Sequence, residues 1–115
     1  MEGLKTTATS SGGGAGSWGA VQDVTISGGI ITLSGAGRYA VETESGAASD
    51  DVDTISGLSD GDEVILSAKD GAHTVVLKTG TGNLSIRVDT SLNDTVDRVR
   101  LIMDGSTIVE ASSRP

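Results

Sequence analysis

The chain has 115 residues, with 16 acidic against 8 basic side chains, a formal net charge of -8, no cysteine, no phenylalanine, one tryptophan and one tyrosine. That length provides for one domain, and the charge works against nucleic-acid phosphates and anionic membrane surfaces as partners. The missing cysteines exclude a disulfide framework, a thiolate metal centre and a Cys nucleophile, and a Val, Ile, Leu and Ala core gives little material for an aromatic-walled ligand cavity.

Residues 1–19, MEGLKTTATSSGGGAGSWG, are Thr, Ser, Gly and Ala with almost nothing to bury. Such a segment does not offset its own ordering entropy by folding alone, so it reads as an extended Gly/Ser-rich arm preceding a body at residues 20–115. Leu4 and Trp18 are its apolar anchors, and Trp18, flanked by small residues, suits either a pocket on a neighbour or the open end of its own sheet. The segment has no basic start followed by an apolar core, and no run approaches a membrane span. A chain made in the cytoplasm and used in soluble form is expected.

From Val21 onward the pattern changes to period two, broken by turn signals at short intervals. VQDVTIS alternates Val24 and Ile26 against Asp23, Thr25 and Ser27, and IITLS places Ile31 and Leu33 opposite Ile30 and Thr32. In RYAVETE, Tyr39 and Val41 share a face. SGAASDDVDTISGLSDG then reads as a long polar connection pinned by Val52, Ile55 and Leu58.

DGDEVILSAKDGAHTVVL, Asp60 to Leu77, reads as a hairpin. Val64, Leu66 and Ala68 form one inward face, and His73, Val75 and Leu77 another. TGTGN leads into LSIRV, with Leu84, Ile86 and Val88 inward, and Leu92 and Val96 pin the loop that follows. In VRLIMDGSTIVEA, Asp104-Gly105 marks a two-residue turn, which would set Leu101 opposite Ile108 and Ile102 opposite Thr107. No stretch keeps helical spacing beyond a turn, and 17 glycines disfavour helices. The pattern predicts an all-β fold, an antiparallel β-sandwich, jelly roll or small barrel of about eight or nine short strands.

Asp60-Gly61 and Asp70-Gly71 sit at strand ends, where Asp closes a turn and Gly supplies positive φ, so catalysis is not needed to explain them. His73 has no second His or Cys to share a metal with and reads as an incidental member of a strand face. Asp50, Asp51, Asp53, Asp60 and Asp62 could offer oxygen ligands to calcium, but their spacing matches no calcium-loop template. No G-x-S-x-G nucleophile elbow and no Walker-type phosphate loop is present. The expectation is a non-enzymatic protein with no catalytic residue, no cofactor and no metal site.

A string of phrases adds a resemblance. GSWGAVQ, then RYAVETESGAASDDVDTISGLSDGDEVIL, then HTVVLKTGTGNLSI and VRLIMDGSTIVEAS, taken in that order, resemble a module of tailed-bacteriophage structural proteins, over roughly four-fifths of the chain from about Trp18. The resemblance implies a non-enzymatic virion part, often trimeric, placed in tail fibres or as fibres and decorations on the head. This chain carries one module and an arm without a long repetitive shaft, which favours a capsid decoration, or cement, protein at the capsid surface. The implied partner is the major capsid protein or another virion protein, met through Leu4, Trp18 and Val21, with a homotrimer closing the assembly. The alternative is a head, neck or tail-fibre module that binds a receptor or glycan, for which Trp18 and Tyr39 are the aromatic side chains on offer.

Overall fold

The computed structural model describes residues 19–111. The arm anchors Leu4 and Trp18 lie outside them. Ten strands follow in order: β1 Val21–Thr25, β2 Ile30–Thr32, β3 Gly37–Glu42, β4 Ser49–Val52, β5 Thr54–Ser56, β6 Glu63–Ala68, β7 Thr74–Leu77, β8 Thr90–Leu92, β9 Arg98–Asp104 and β10 Thr107–Glu110. The described residues hold no α-helix, only a 3-10 turn at Glu44–Gly46. The fold is all-β, as the alternation predicts.

Three sheets share these strands: β1-β3-β6-β9-β10, β2-β5, and β4-β7-β8. The chain visits them in rotation. After β3 it turns a corner into β4, passes to β5, and returns to the first sheet as β6 beside β3. Strands that return this way pair in parallel, as β1 with β3, β3 with β6, β2 with β5 and β4 with β7. Ile30 is thereby matched to Thr54, Ser49 to Thr74 and Gly37 to Val64, roughly 25 residues per circuit. The architecture is a short parallel coil wound around one core, closed by antiparallel strands at its C-terminal end.

This winding corrects the expectation of purely antiparallel pairing, and with it the Asp60–Leu77 hairpin. β6 and β7 lie in different sheets. The Lys69 N–H donates to the Val41 carbonyl, extending the parallel ladder with β3, and Thr74 N–H then donates to Ala48, opening the ladder between β7 and β4. The turn between them bends the chain around a corner rather than reversing it. Period-two alternation is the same for strands joined by a corner as for strands joined by a hairpin, so only the partner strands separate the two.

The stretch from Ser45 to Gly61 is likewise not a plain connection, because β4 and β5 lie inside it. Val52 and Ile55 are fully buried and Leu58 packs against them. Their inward side chains join Ile31, Leu33, Tyr39, Val41, Val64, Leu66, Val75, Leu77, Leu101 and Ile108 in one core. Each fully buried aliphatic contributes about 1.5–3 kcal/mol of transfer free energy. The inward faces read from the sequence are recovered for β3, β6 and β7, and for Leu84, Ile86 and Leu92. Val88 and Val96 are exposed in loops instead, 64% and 73% accessible.

The last hairpin forms with a register different from the one expected. Thr107 pairs with Asp104 and Ile108 with Met103, so Gly105 and Ser106 make the turn, with Gly105 at φ 68°. The slip preserves parity, and Leu101, Met103 and Ile108 all remain inside.

The C-terminal end of the coil is covered. Ile108 N–H donates to the Asn83 carbonyl and Ser85 N–H to the Ile108 carbonyl, so residues 83–85 lie along the outer edge of β10. At the N-terminal end, β1 has no strand beyond it among the described residues, and β2 has only Ser27, whose N–H and carbonyl exchange hydrogen bonds with Ile30. Val21 and Ile30, 46% and 40% accessible, stand on these two end strands.

Candidate functional site

The corner between β6 and β7 gathers the chain's one histidine with two carboxylates. Its turn is built locally: Asp70 Oδ1 accepts the Ala72 N–H at 2.9 Å, and the His73 N–H donates to the Asp70 carbonyl at 3.0 Å. The Asp70 half of the Asp-Gly signal is kept, whereas Gly71 does not hold the positive φ expected of it. The turn brings Asp70 and His73 to the same side of the corner.

Parallel pairing supplies the third member. Val41 is matched to Ala68, so the next residue of β3, Glu42, falls beside the start of the β6–β7 corner. His73 Nδ1 lies 2.9 Å from Glu42 Oε1 and 3.8 Å from Asp70 Oδ2. One ligand atom from each of the three residues lies within 4.8 Å of the others. Behind the imidazole, a Cβ on Gly46 would sit 4.0 Å from His73 Cε1, which shows how closely the β3–β4 corner backs the ring.

The site is half open to solvent. The side chains of His73 and Glu42 are each 25% accessible and that of Asp70 50%. The hydrogen bond to Glu42 raises the His73 pKa above its ordinary 6.5; desolvation opposes it, and the charges of Glu42 and Asp70 add smaller upward contributions. Glu42 is held below 4.5, first by the His73 hydrogen bond and then by the Thr43 N–H. Such a cluster can hold a proton between strand ends, pin two circuits together, or present one nitrogen and two oxygens to a cation.

Sequence reading leaves this grouping unseen. It places His73 on the Val75 and Leu77 face, but His73 lies one residue before β7 with its ring partly exposed, and Glu42 stands 31 positions earlier. Only the parallel register between β3 and β6 makes the two neighbours.

The acidic residues between Asp50 and Asp62 go elsewhere. Asp50 accepts the Glu44 N–H through one oxygen and the Asp51 N–H through the other. Asp53 accepts from Thr54 Oγ1, and Asp62 closes its own turn by accepting the Ser59 N–H. Asp60 reaches across to the last hairpin and accepts the Gly105 N–H at 2.7 Å. These carboxylates are spread over several turns: Asp50 and Asp62 bind nearby backbone N–H groups and Asp53 a neighbouring hydroxyl, while Asp60 binds a distant hairpin rather than closing its own turn as expected, although Gly61 does hold a positive φ of 92°.

Of the expected partner contacts, Val21 opens β1, exposed on the strand that ends the five-stranded sheet among the described residues. Asp23, two residues on, pairs with Lys69 at 3.1 Å, which places a charge on this edge. Arg38 Nη2 donates to the Gly19 carbonyl and fixes the point where the N-terminal segment enters β1.

No protein-family model matches the chain, and comparisons with curated proteins and with solved structures return no match either.

Proposed function

We propose that the chain is a non-enzymatic structural protein of a bacteriophage particle, a capsid decoration protein that docks on the head shell through residues 1–19 and the β1 end of its coil, which no other described strand covers. The observation that carries this reading is the asymmetry of the two ends. The C-terminal end is capped by β8, β9, β10 and Asn83, whereas Val21 and Ile30 stand exposed on β1 and β2, where the N-terminal segment enters. An open strand edge with apolar side chains is a site for strand addition by a partner or a second copy.

The reading also draws on the phrase resemblance to phage structural modules and on the thin aliphatic core, for which burial between copies adds stability. A homotrimer is the assembly proposed, with the major capsid protein as the surface met. Location at the capsid surface belongs to the same proposal.

The test is co-sedimentation of the full chain with undecorated heads, with its mass measured by light scattering. A trimer that sediments with heads, and loses this when residues 1–19 are deleted or Val21 is changed to Lys while the circular dichroism of the body is kept, is the expected outcome. A monomer that ignores heads overturns it. Saturable binding to a cell-surface glycan in place of heads would transfer the chain to the fibre-module reading.

A further inference from the structure

We propose that Glu42, Asp70 and His73 bind one divalent transition-metal ion, which clamps two successive circuits of the coil at their shared corner. The three side chains come from separate places, Glu42 from the end of β3 and Asp70 and His73 from the turn between β6 and β7, yet one donor atom of each lies within 4.8 Å of the others. Donors bound side by side to a metal at bonds of about 2.1 Å lie about 3.0–3.4 Å apart. The separations from His73 Nδ1, 2.9 Å to Glu42 and 3.8 Å to Asp70, bracket that range. A small rotation of the half-exposed Asp70 carboxylate closes the set.

The donors are already oriented by their surroundings. Asp70 Oδ1 is held by the Ala72 N–H, which leaves Oδ2 turned toward His73, and Glu42 Oε1 is held by the Thr43 N–H at 2.9 Å. Backbone groups that fix ligand orientation in this way strengthen a metal site. With neutral imidazole the cluster carries two negative charges, in a chain whose net charge is already -8, so a cation is drawn to it.

One imidazole nitrogen with two carboxylates selects the class of ion. Such a set suits Zn²⁺, Mn²⁺, Fe²⁺, Co²⁺ or Ni²⁺, whereas Ca²⁺ and Mg²⁺ prefer oxygen alone. Solvent reaches the cluster from the Asp70 side, so water completes the coordination sphere. The ion would act as a structural staple, because its ligands tie β3 to the β6–β7 corner.

The single histidine makes the test direct, since its ring protons give the only imidazole signals in the NMR spectrum of the chain. Zn²⁺ alone is titrated into the full chain at about pH 7.5, where imidazole is available as a ligand. The expected result is a saturable shift of the His73 ring signals at one equivalent, with a matching calorimetric stoichiometry and a raised Tm. His73→Gln and Asp70→Asn should each weaken binding at least about ten-fold, Gly71→Ala in the same turn should leave it unchanged, and Ca²⁺ should not reproduce the shift. Ring signals that stay in place with Zn²⁺ in excess overturn the proposal without recourse to any variant. Zn²⁺ binding of equal strength in folded His73→Gln and Asp70→Asn chains overturns it too.

Discussion

Asn83 stands to Ile55 as a neighbouring strand would: its Oδ1 accepts the Ile55 N–H at 2.9 Å and its Nδ2 donates to the Ile55 carbonyl at 2.7 Å. The amide carries a donor and an acceptor in the geometry of a peptide group. One side chain therefore ends the β2-β5 sheet where a third strand would otherwise be needed, while the Asn83 carbonyl accepts the Ile108 N–H and links that sheet to β10.

Replacing Asn83 by Ala leaves both Ile55 backbone groups without their partner beside a buried side chain. Each such group costs about 1–3 kcal/mol, so a loss of about 2–6 kcal/mol is expected. Asn83→Asp should also destabilise, because it keeps an acceptor for the N–H but turns a carboxylate oxygen toward the carbonyl. Urea unfolding checks both, with a lowered midpoint at unchanged slope.

Two glycines sit where the circuits touch. A Cβ on Gly57 would meet the Leu33 carbonyl, and one on Gly82 would meet the Asp53 carbonyl and Thr54 Oγ1. Gly57 also holds φ at +93°. Overpacking and left-handed backbone each cost about 1–3 kcal/mol, so Gly57→Ala should lose about 3 kcal/mol or more and Gly82→Ala somewhat less. Gly71→Ala, which meets nothing within 4 Å, is the control and should stay within about 0.5 kcal/mol of the parent.

Asp60 acts at a distance in sequence, holding the Gly105 N–H at the tip of the β9–β10 hairpin. Because the bond is exposed, Asp60→Ala should cost only about 1 kcal/mol. The specific readout is hydrogen exchange: the Gly105 amide should exchange faster in the variant while the amides of β3 and β6 keep their protection.

Acid should weaken the corner held by Asp89. Its carboxyl is depressed below 3.8, first by the Thr79 N–H and then by Lys78, whose Nζ lies 3.0 Å away. A depressed folded pKa means that the unfolded chain binds the proton more readily, so this contribution is complete above about pH 3.8 and is lost as pH falls through the lower folded value. Lys78 shows the reverse, being raised above 10.5 chiefly by its hydrogen bond to Asp89, so its share is lost only as pH rises through that raised value. Urea midpoints followed from about pH 5 down to pH 2 should fall less steeply in Asp89→Asn than in the parent.

Several elements are legible in the residues alone. The alternations Tyr39/Val41, Val64/Leu66/Ala68 and Val75/Leu77 mark inward faces, and these side chains are buried. Asp60 and Asp70 read as turn residues, and each binds a turn N–H, Asp60 that of Gly105 and Asp70 that of Ala72. Val96 misleads, since an apolar residue in a polar loop looks like a pin and is exposed. The Glu42, Asp70 and His73 cluster is not legible because Glu42 stands 31 residues before His73 and no motif links it to the Asp70 and His73 turn.

What the sequence by itself determined is the local rule: all-β structure, the inward residues of β3, β6, β7 and the last hairpin, and roughly where the chain bends, though not β4 and β5, which read as a polar connection. Those depend on side-chain period and turn chemistry, which act over a few residues. Only the tertiary structure decided which strands pair, and in which direction. A bend with the same Asp-Gly signature can reverse a strand within its sheet or carry it round a corner to the next, and the choice rests on whether the incoming strand finds an open edge beside it. Here β7 meets β4 and β6 meets β3, so the chain winds in parallel circuits. That winding brings Glu42 to His73 and leaves β1 at the edge of its sheet among the described residues.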